Sequence, residues 1–433
     1  MTNSVYLIVM SIVNHLPRLV ACALAGTLFG MPAWAQSAAS STATPIATAA
    51  ATSSTITLRE ALNAAWQRAV AAREADGQRR RAEAERSTIN GLWAAPPSLE
   101  LSHRADRLLG SGGGRDNDLG IAVPIWLPGQ RAARTATADG AVALAQIADQ
   151  VARLRLAGEL RESAWQLATL QAEVHLADVQ DISLRQLAGD VERRVRAGDL
   201  ARADSLAAQA EQLAAAASLA SVRQRLQAAK NQWTLLTGLA MPPNMSVATA
   251  TNAANDLAIH PELHLASQQA ELARKRVDLM RHSQRSAPEL KLGVRQDAPG
   301  QGQSSQGSVI VGLRLPFGTD DRNRPLEAAA LASLDIAQTQ EQRLRERLES
   351  ELSVAQDAVR SAQVQLDAET NRALLLRERA TLIDKSFRAG ETPLPELLRA
   401  LNTAAQAESA VARQTAALGL SRARLQQSLG ILP

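Results

Sequence analysis

The chain has 433 residues, of which 46% are hydrophobic but only 2% aromatic, and its 47 basic residues nearly balance 43 acidic ones. Aromatic rings supply much of the buried area in an ordinary core, so this composition argues against a string of conventional globular domains. The charge of +4 is weak evidence for nucleic acid, a mean hydropathy of −0.14 argues against a polytopic helical membrane protein, and the single cysteine, Cys22, excludes a disulfide framework.

The N-terminus reads as an export signal. Arg18 precedes an apolar run from Leu19 to Gly30, and Ala33-Trp34-Ala35 has the small-x-small pattern of a signal-peptidase site, giving a signal peptide over 1–35. Leu19-Val20-Ala21-Cys22 offers a rival lipoprotein reading with Cys22 acylated, and a retained anchor is the third possibility. Residues 36–55 are a Ser/Ala/Thr linker with too little apolar surface to fold alone.

The remainder reads as one unit written twice. Val195-Arg196-Ala197-Gly198-Asp199, moved by 192 positions, falls on Phe387-Arg388-Ala389-Gly390-Glu391, and the same shift carries Pro124 to Pro316 and Gly238 to Gly430. The first repeat spans 56–241, a linker 242–256, and the second repeat 257–433. Each opens with a predicted helix, Leu58 to about Leu92 and Leu257 to about Arg285. Two predicted strands follow in each, around a Gly-rich loop: Ser98–Arg104 with Leu119–Leu127, and Glu289–Arg295 with Val309–Phe317. Apolar residues alternate at period two, as in Leu119, Ile121, Val123, Ile125 and Leu127, or Val309, Val311, Leu313, Leu315 and Phe317. A small half-buried sheet in a soluble protein would also alternate, but strands of about 9–11 residues suit a tilted crossing of a bilayer.

After each hairpin comes a long helical pattern, from about Arg131 to the Gly198 turn and from about Arg324 to the Gly390 turn, both read as free of proline. Each runs to roughly 65 residues and on the order of 100 Å. Alanine is about a fifth of the chain, and spacings of three and four, as in Leu184, Leu187, Val191 and Val195, describe a coiled-coil seam. Shorter helices of about 40 residues return from each Gly turn to Gly238 and Gly430. Four strands cannot close a barrel, and open edges are not viable in a bilayer, so a membrane-inserted chain of this kind must oligomerise. Three copies would give twelve strands.

In this order of parts the sequence resembles the TolC family of outer-membrane efflux channels, and within it the cation-efflux, CzcC-like branch. The resemblance runs from Leu58-Arg59-Glu60-Ala61-Leu62 to Gly430 and rests on the paired turns Arg196-Ala197-Gly198 with Asp204 and Arg388-Ala389-Gly390 with Glu396. The corners Val123-Pro124-Ile125-Trp126-Leu127 and Leu315-Pro316-Phe317-Gly318 add to it. It implies a mainly α protein with a β-barrel portion: a tandem-duplicated protomer, four transmembrane strands and long periplasmic coiled-coil helices, trimerising into a 12-strand barrel and an α-helical tube. The implied partners are a periplasmic adaptor, an inner-membrane RND-type pump and outer-membrane lipid, with no nucleic acid, and the implied place is the outer membrane, reaching into the periplasm. The function expected is passive conduction of metal cations or small toxic molecules, a heavy-metal-resistance role included. The alternatives are the outer channel of type I protein secretion and a periplasmic coiled-coil scaffold.

The candidate site residues follow. Arg196, Gly198, Arg388 and Gly390 are expected at the periplasmic tip, docking the adaptor. Asp199, Arg202, Asp204, Glu391 and Glu396 are the tip charges, either closing an aperture through salt links or simply capping helices in solvent. Pro124, Trp126, Pro316 and Phe317 mark the strand-to-helix corners, where the two aromatics make a thin girdle at one interface and leave the other bare. No cofactor is expected, and the chain carries no nucleophile elbow, phosphate loop or zinc-protease signature. His260 and His264 stand four apart, but no cysteine or carboxylate completes a metal spacing, so no metal site is assigned.

Overall fold

The computed structural model describes residues 56–105, 114–243, 245, 257–299, 304–318 and 320–433. The signal peptide, the 36–55 linker, Cys22, nearly all of the 242–256 linker and the Gly-rich tips of both β-hairpins lie outside the described residues.

The protein is mainly helical, with one small antiparallel sheet. Helix α1 (Leu58–Arg68) starts on a capping box: Thr57 Oγ1 accepts the Glu60 N–H at 3.2 Å, and the Glu60 carboxylate accepts the Thr57 N–H at 2.8 Å. The helix expected to run on to Leu92 breaks at Ala69, where ψ is 136°, and resumes as α2 (Val70–Ser87). Nothing in the local sequence forbids continuation. The break is tertiary: it lets α1 bury Ala61, Leu62 and Ala65 against Leu160, Leu167 and Trp233, while α2 follows the next helix alone.

Strands β1 (Ser98–Ala105) and β2 (Arg115–Pro124) lead into α3 (Gln130–Ala197), whose 68 residues span about 100 Å. Helix α4 (Arg202–Thr237) returns along it. The same order then recurs: α5 (Pro261–His282), β3 (Glu289–Ala298), β4 (Gln306–Arg314), α6 (Asp320–Arg388) and α7 (Leu394–Ser428). The proline-free reading of the second long helix is corrected, because Pro325 lies inside α6. It sits just past the first turn, where the missing N–H forfeits one backbone hydrogen bond and the rest of the helix is unaffected.

The second correction concerns strand ends. β2 and β4 begin at Arg115 and Gln306, earlier than the apolar alternation suggests, and stop at Pro124 and Arg314. Ile125, Leu127, Leu315 and Phe317 therefore lie beyond the strands. Pro124 is the last paired residue of β2 and Pro316 stands two past the end of β4, and neither has an N–H to carry a ladder on.

The helical pairs pack through seams rather than around a central core. Leu156, Leu160, Leu167 and Trp233 form one apolar cluster with α1, and Trp165 with Ala416 and Ala423 forms another between α3 and α7. Each fully buried leucine is worth about 1.5–3 kcal/mol. Burial is uneven: α3 buries sixteen of its residues, but α6, equally long, buries six. Ile336, Val354, Val364, Leu375 and Leu382 of α6 remain exposed. No helix among the described residues is long and apolar enough to cross a membrane, which says nothing of strands.

Candidate functional site

The four strands form one sheet in sequence order, β1-β2-β3-β4, each antiparallel to the next. Register aligns side chains in rows. Leu101, Leu119, Val294 and Val309 make one row; Leu99, Ile121, Leu292 and Val311 the next; Val123, Leu290 and Leu313 a third. Most of these side chains are exposed, so one face of the sheet is an uncovered apolar surface. Toward the hairpin loops it ends in the polar row His103, Asn117, Gln296 and Gly307.

The opposite face is polar and laced by ion pairs. Arg295 donates twice to Asp118, at 2.7 and 2.8 Å, and Ser102 Oγ donates to the same carboxylate at 3.3 Å. Arg314 pairs with Glu289 at 3.5 Å, and Lys291 of β3 reaches over β2 to Glu100 of β1. Gly120 lies under that reach, where a Cβ would stand 3.3 Å from the Leu292 carbonyl oxygen and 3.4 Å from Lys291 Cε. An apolar face backed by a neutralised polar face is what a strand layer between lipid and a wet lumen requires. The outer edges of β1 and β4 have no neighbouring strand among the described residues.

At the corners, Pro124 accepts the Ala94 N–H at 3.1 Å and Ile125 donates to Pro288 at 2.7 Å, pinning the strand ends to the preceding loops. Trp126 is half-buried under the Arg134 guanidinium, 5.8 Å from the ring centre, whereas Phe317, beside Pro316, is 87% exposed. Trp93, 45% exposed in the segment before β1, belongs to the same end of the sheet and escaped the sequence reading. Its neighbour Ala94 is tied to Pro124, so Trp93 joins Trp126 and Phe317 near the strand-to-helix corners.

The other end holds the helix turns. Gly198 (φ 89°) and Gly390 (φ 83°) take the left-handed conformation. Around them the Asp199 N–H bonds to Arg194 C=O and the Glu391 N–H to Ser386 C=O, at 2.9 and 3.0 Å, with the glycine N–H groups bonding to Val195 and Phe387. Both are Schellman stops, and a Cβ at either glycine would meet nothing, so conformation alone demands glycine. The two turns share one apolar cluster, in which Phe387 meets Val191, Leu184, Leu394 and Leu397. Arg194 lies over the Phe387 ring at 5.1 Å. This plug was missed in the sequence, although Phe387 opens the second copy of the turn motif.

The tip charges divide. Asp204 turns back to accept the Ala201 N–H at 3.2 Å, which is helix capping. Arg196 pairs with Glu192 at 3.7 Å and Arg388 with Asp384 at 2.9 Å, each one turn back on its own helix. Asp199, Arg202, Glu391 and Glu396 are exposed around the turns, and Glu391 accepts from Ser386 Oγ at 3.5 Å. Among the described residues no ion pair joins the Gly198 turn to the Gly390 turn. The histidine pair separates: His260 is buried and caps α5, while His264 is exposed.

Comparison with known proteins agrees with this geometry. Residues 98–239 match the family model for outer membrane efflux proteins. Among curated proteins, the chain is 29% identical over 228 residues to the cobalt-zinc-cadmium resistance protein CzcC of Cupriavidus metallidurans, covering 50% of this chain and 53% of the relative. The chain thus spans about half the length of the curated relative it matches. Among solved structures, the outer membrane protein VceC of Vibrio cholerae superposes with a TM-score of 0.71 at 16% identity, over 86% of this chain and 96% of that one. The Campylobacter jejuni CmeC outer membrane channel gives 0.70 at 13%, over 86% and 85%. At such identities the superpositions establish the fold alone.

Proposed function

We propose that this chain, a relative of the outer membrane efflux proteins, is the outer-membrane channel of a tripartite efflux system and conducts substrate passively to the exterior. The carrying observation is the sheet, with its bare apolar face, its ion-paired polar face and two edges unpaired among the described residues, continuous with helices of about 100 Å. Unpaired strand edges are not viable in hydrocarbon. Pairing β4 of one copy with β1 of the next in a trimer gives a closed barrel of twelve strands, and the exposed apolar residues of α6 then meet a neighbouring copy.

The recurrent element order and the matched left-handed glycines, Gly198 with Gly390 and Gly238 with Gly430, support a tandem duplication across 56–241 and 257–433. On this reading 1–35 is removed on export, and 36–55 and 242–256 are linkers. Arg196, Gly198, Arg388 and Gly390 present the tip to a periplasmic adaptor and an RND-type pump. Asp199, Arg202, Glu391 and Glu396 are the charges available for contacts between copies at the aperture. Metal cations are the substrate class favoured, through the similarity to a cobalt-zinc-cadmium resistance protein.

Fractionation tests the channel, and deletion tests the substrate. The protein should sit in the outer membrane as a heat-sensitive trimer; a soluble periplasmic monomer would sink the proposal in favour of a scaffold. Deleting the gene should sensitise cells to cobalt, zinc and cadmium. Loss of a secreted protein with metal tolerance intact would assign the chain to type I secretion instead.

A further inference from the structure

The C-terminal turn after α7 is gripped by two buried side chains that conduction does not use. Arg161 of α3, 2% exposed, donates from Nη2 to the Ile431 carbonyl at 2.7 Å and from Nη1 to Gln427 Oε1. Its Nε has no partner among the described residues, and burial pushes the guanidinium down to about 10. His260, also 2% exposed, stands at the N-cap of α5. Its Nδ1 accepts the Glu262 N–H at 3.2 Å, and the ring also hydrogen-bonds the Gln427 backbone. That arrangement places the single ring proton on Nε2. Between the two side chains runs Gly430 (φ 72°), where a Cβ would stand 2.6 Å from Pro261 Cδ and 2.8 Å from His260 Cδ2. Only glycine lets the chain end approach the start of α5 so closely.

We propose that this junction is an acid-released latch, in which protonation of His260 frees the start of α5 from the end of α7. The only nitrogen able to take a proton is Nδ1, the atom that caps the helix. Once protonated it can no longer accept the Glu262 N–H, and it becomes a buried cation at the positive end of a 22-residue helix. The charges facing it are few. Glu262 on α5 and Glu351 on α6 favour the cation. Glu262 already takes Arg155 of α3 at 3.3 Å and Arg347 of α6 at 3.4 Å, and Glu351 takes Arg347 at 3.3 Å. Arg161 of α3 holds the side chain of the same Gln427, and α7 offers only that neutral residue. Desolvation prevails, so the folded ring holds its proton more weakly than an exposed imidazole. The opened junction therefore binds more protons. The latch is at full strength above about pH 6.5 and weakens as pH falls toward the lowered folded value.

Hydrogen exchange read by mass spectrometry tests this on the full-length, detergent-solubilised assembly between pH 7.5 and 5, with rates corrected for intrinsic chemistry. Peptides covering 257–265 and 425–431 should open more readily as pH falls below about 6.5, with about tenfold per pH unit the ceiling for one linked proton. Peptides at the tip, around Gly390, should stay flat. His260→Asn keeps an oxygen at the cap without a titrating group and should abolish the slope. A pH-independent junction in the wild type, or an unchanged slope in His260→Asn, overturns the proposal. If that variant fails to assemble, the wild-type slope decides alone.

Discussion

Replacing Gly419 with alanine would normally stabilise a helix, by about 0.8–1.0 kcal/mol of intrinsic propensity. Here it should do the reverse. Gly419 lies buried in α7 against Trp165 of α3, itself 6% exposed, and an added Cβ would fall on the Cη2, Cζ3 and Cζ2 atoms of the indole. Carbon atoms rest at about 3.5–4.0 Å, and a ring clamped in a seam cannot step aside as a flexible chain would. Overpacking of this kind costs about 1–3 kcal/mol, and the rigidity of the ring argues for the upper end. The net change should be a loss of about 2 kcal/mol, read as a fall of a few degrees in the circular-dichroism melting midpoint. Trp165→Ala should itself cost about 3–5 kcal/mol by leaving a cavity. In that background Gly419→Ala has no ring to meet and should recover its propensity, stabilising by about 1 kcal/mol. The cycle then yields a coupling of about 3 kcal/mol. If Gly419→Ala raises the midpoint of the otherwise native protein, the seam is looser than described and the reasoning fails.

Other substitutions probe the remaining features. Gly198→Val and Gly390→Val force a branched side chain into the left-handed region at about 1–2 kcal/mol each and should abolish adaptor binding in pull-down; survival of binding and efflux in both would remove the tip assignment. Arg161→Leu strips the donors from Gln427 and Ile431 and should cost about 2 kcal/mol, with Arg161→Lys a poor rescue because one ammonium cannot span both acceptors. Glu100→Gln should change stability by less than about 1 kcal/mol but release Lys291, so single-channel reversal potentials should move toward anions. An unchanged reversal potential would mean that the polar face does not line the pore.

Much of this was legible because it is periodic. Alternation exposes Leu99, Leu101, Ile121 and Val311, and a glycine after an Ala/Leu helix announces a stop, so sheet faces and turns at Gly198 and Gly390 appear in the sequence. What was illegible depends on distant partners. Arg115 to Asp118 read as loop, yet the ladders on either side hold them as strand. The break at Ala69 has no local cause, and Phe387 as a plug between two turns needs both repeats folded. Arg161 had a signal that went unused. Leu154, Ala157, Arg161 and Ala164 follow the three-four spacing of a seam, so a charge at the third place belongs inside. Asp204, grouped with the tip charges, accepts the Ala201 N–H, because a carboxylate two residues into a helix finds backbone N–H groups close by.

The thin burial of α6 bears on when this protein can be said to be folded at all. A helix of 69 residues that hides six of them draws little stability from its own chain. In the proposed trimer the missing share comes from neighbours, so the free energy holding α6 in place rises with the concentration of copies. Melting measured on dilute protein would then underestimate the hold on α6 more than that on α3. Copies not yet assembled would hold α3 against α5 and α7 while the bare seam of α6 stays open, and that seam is where a protease would find an unassembled chain first.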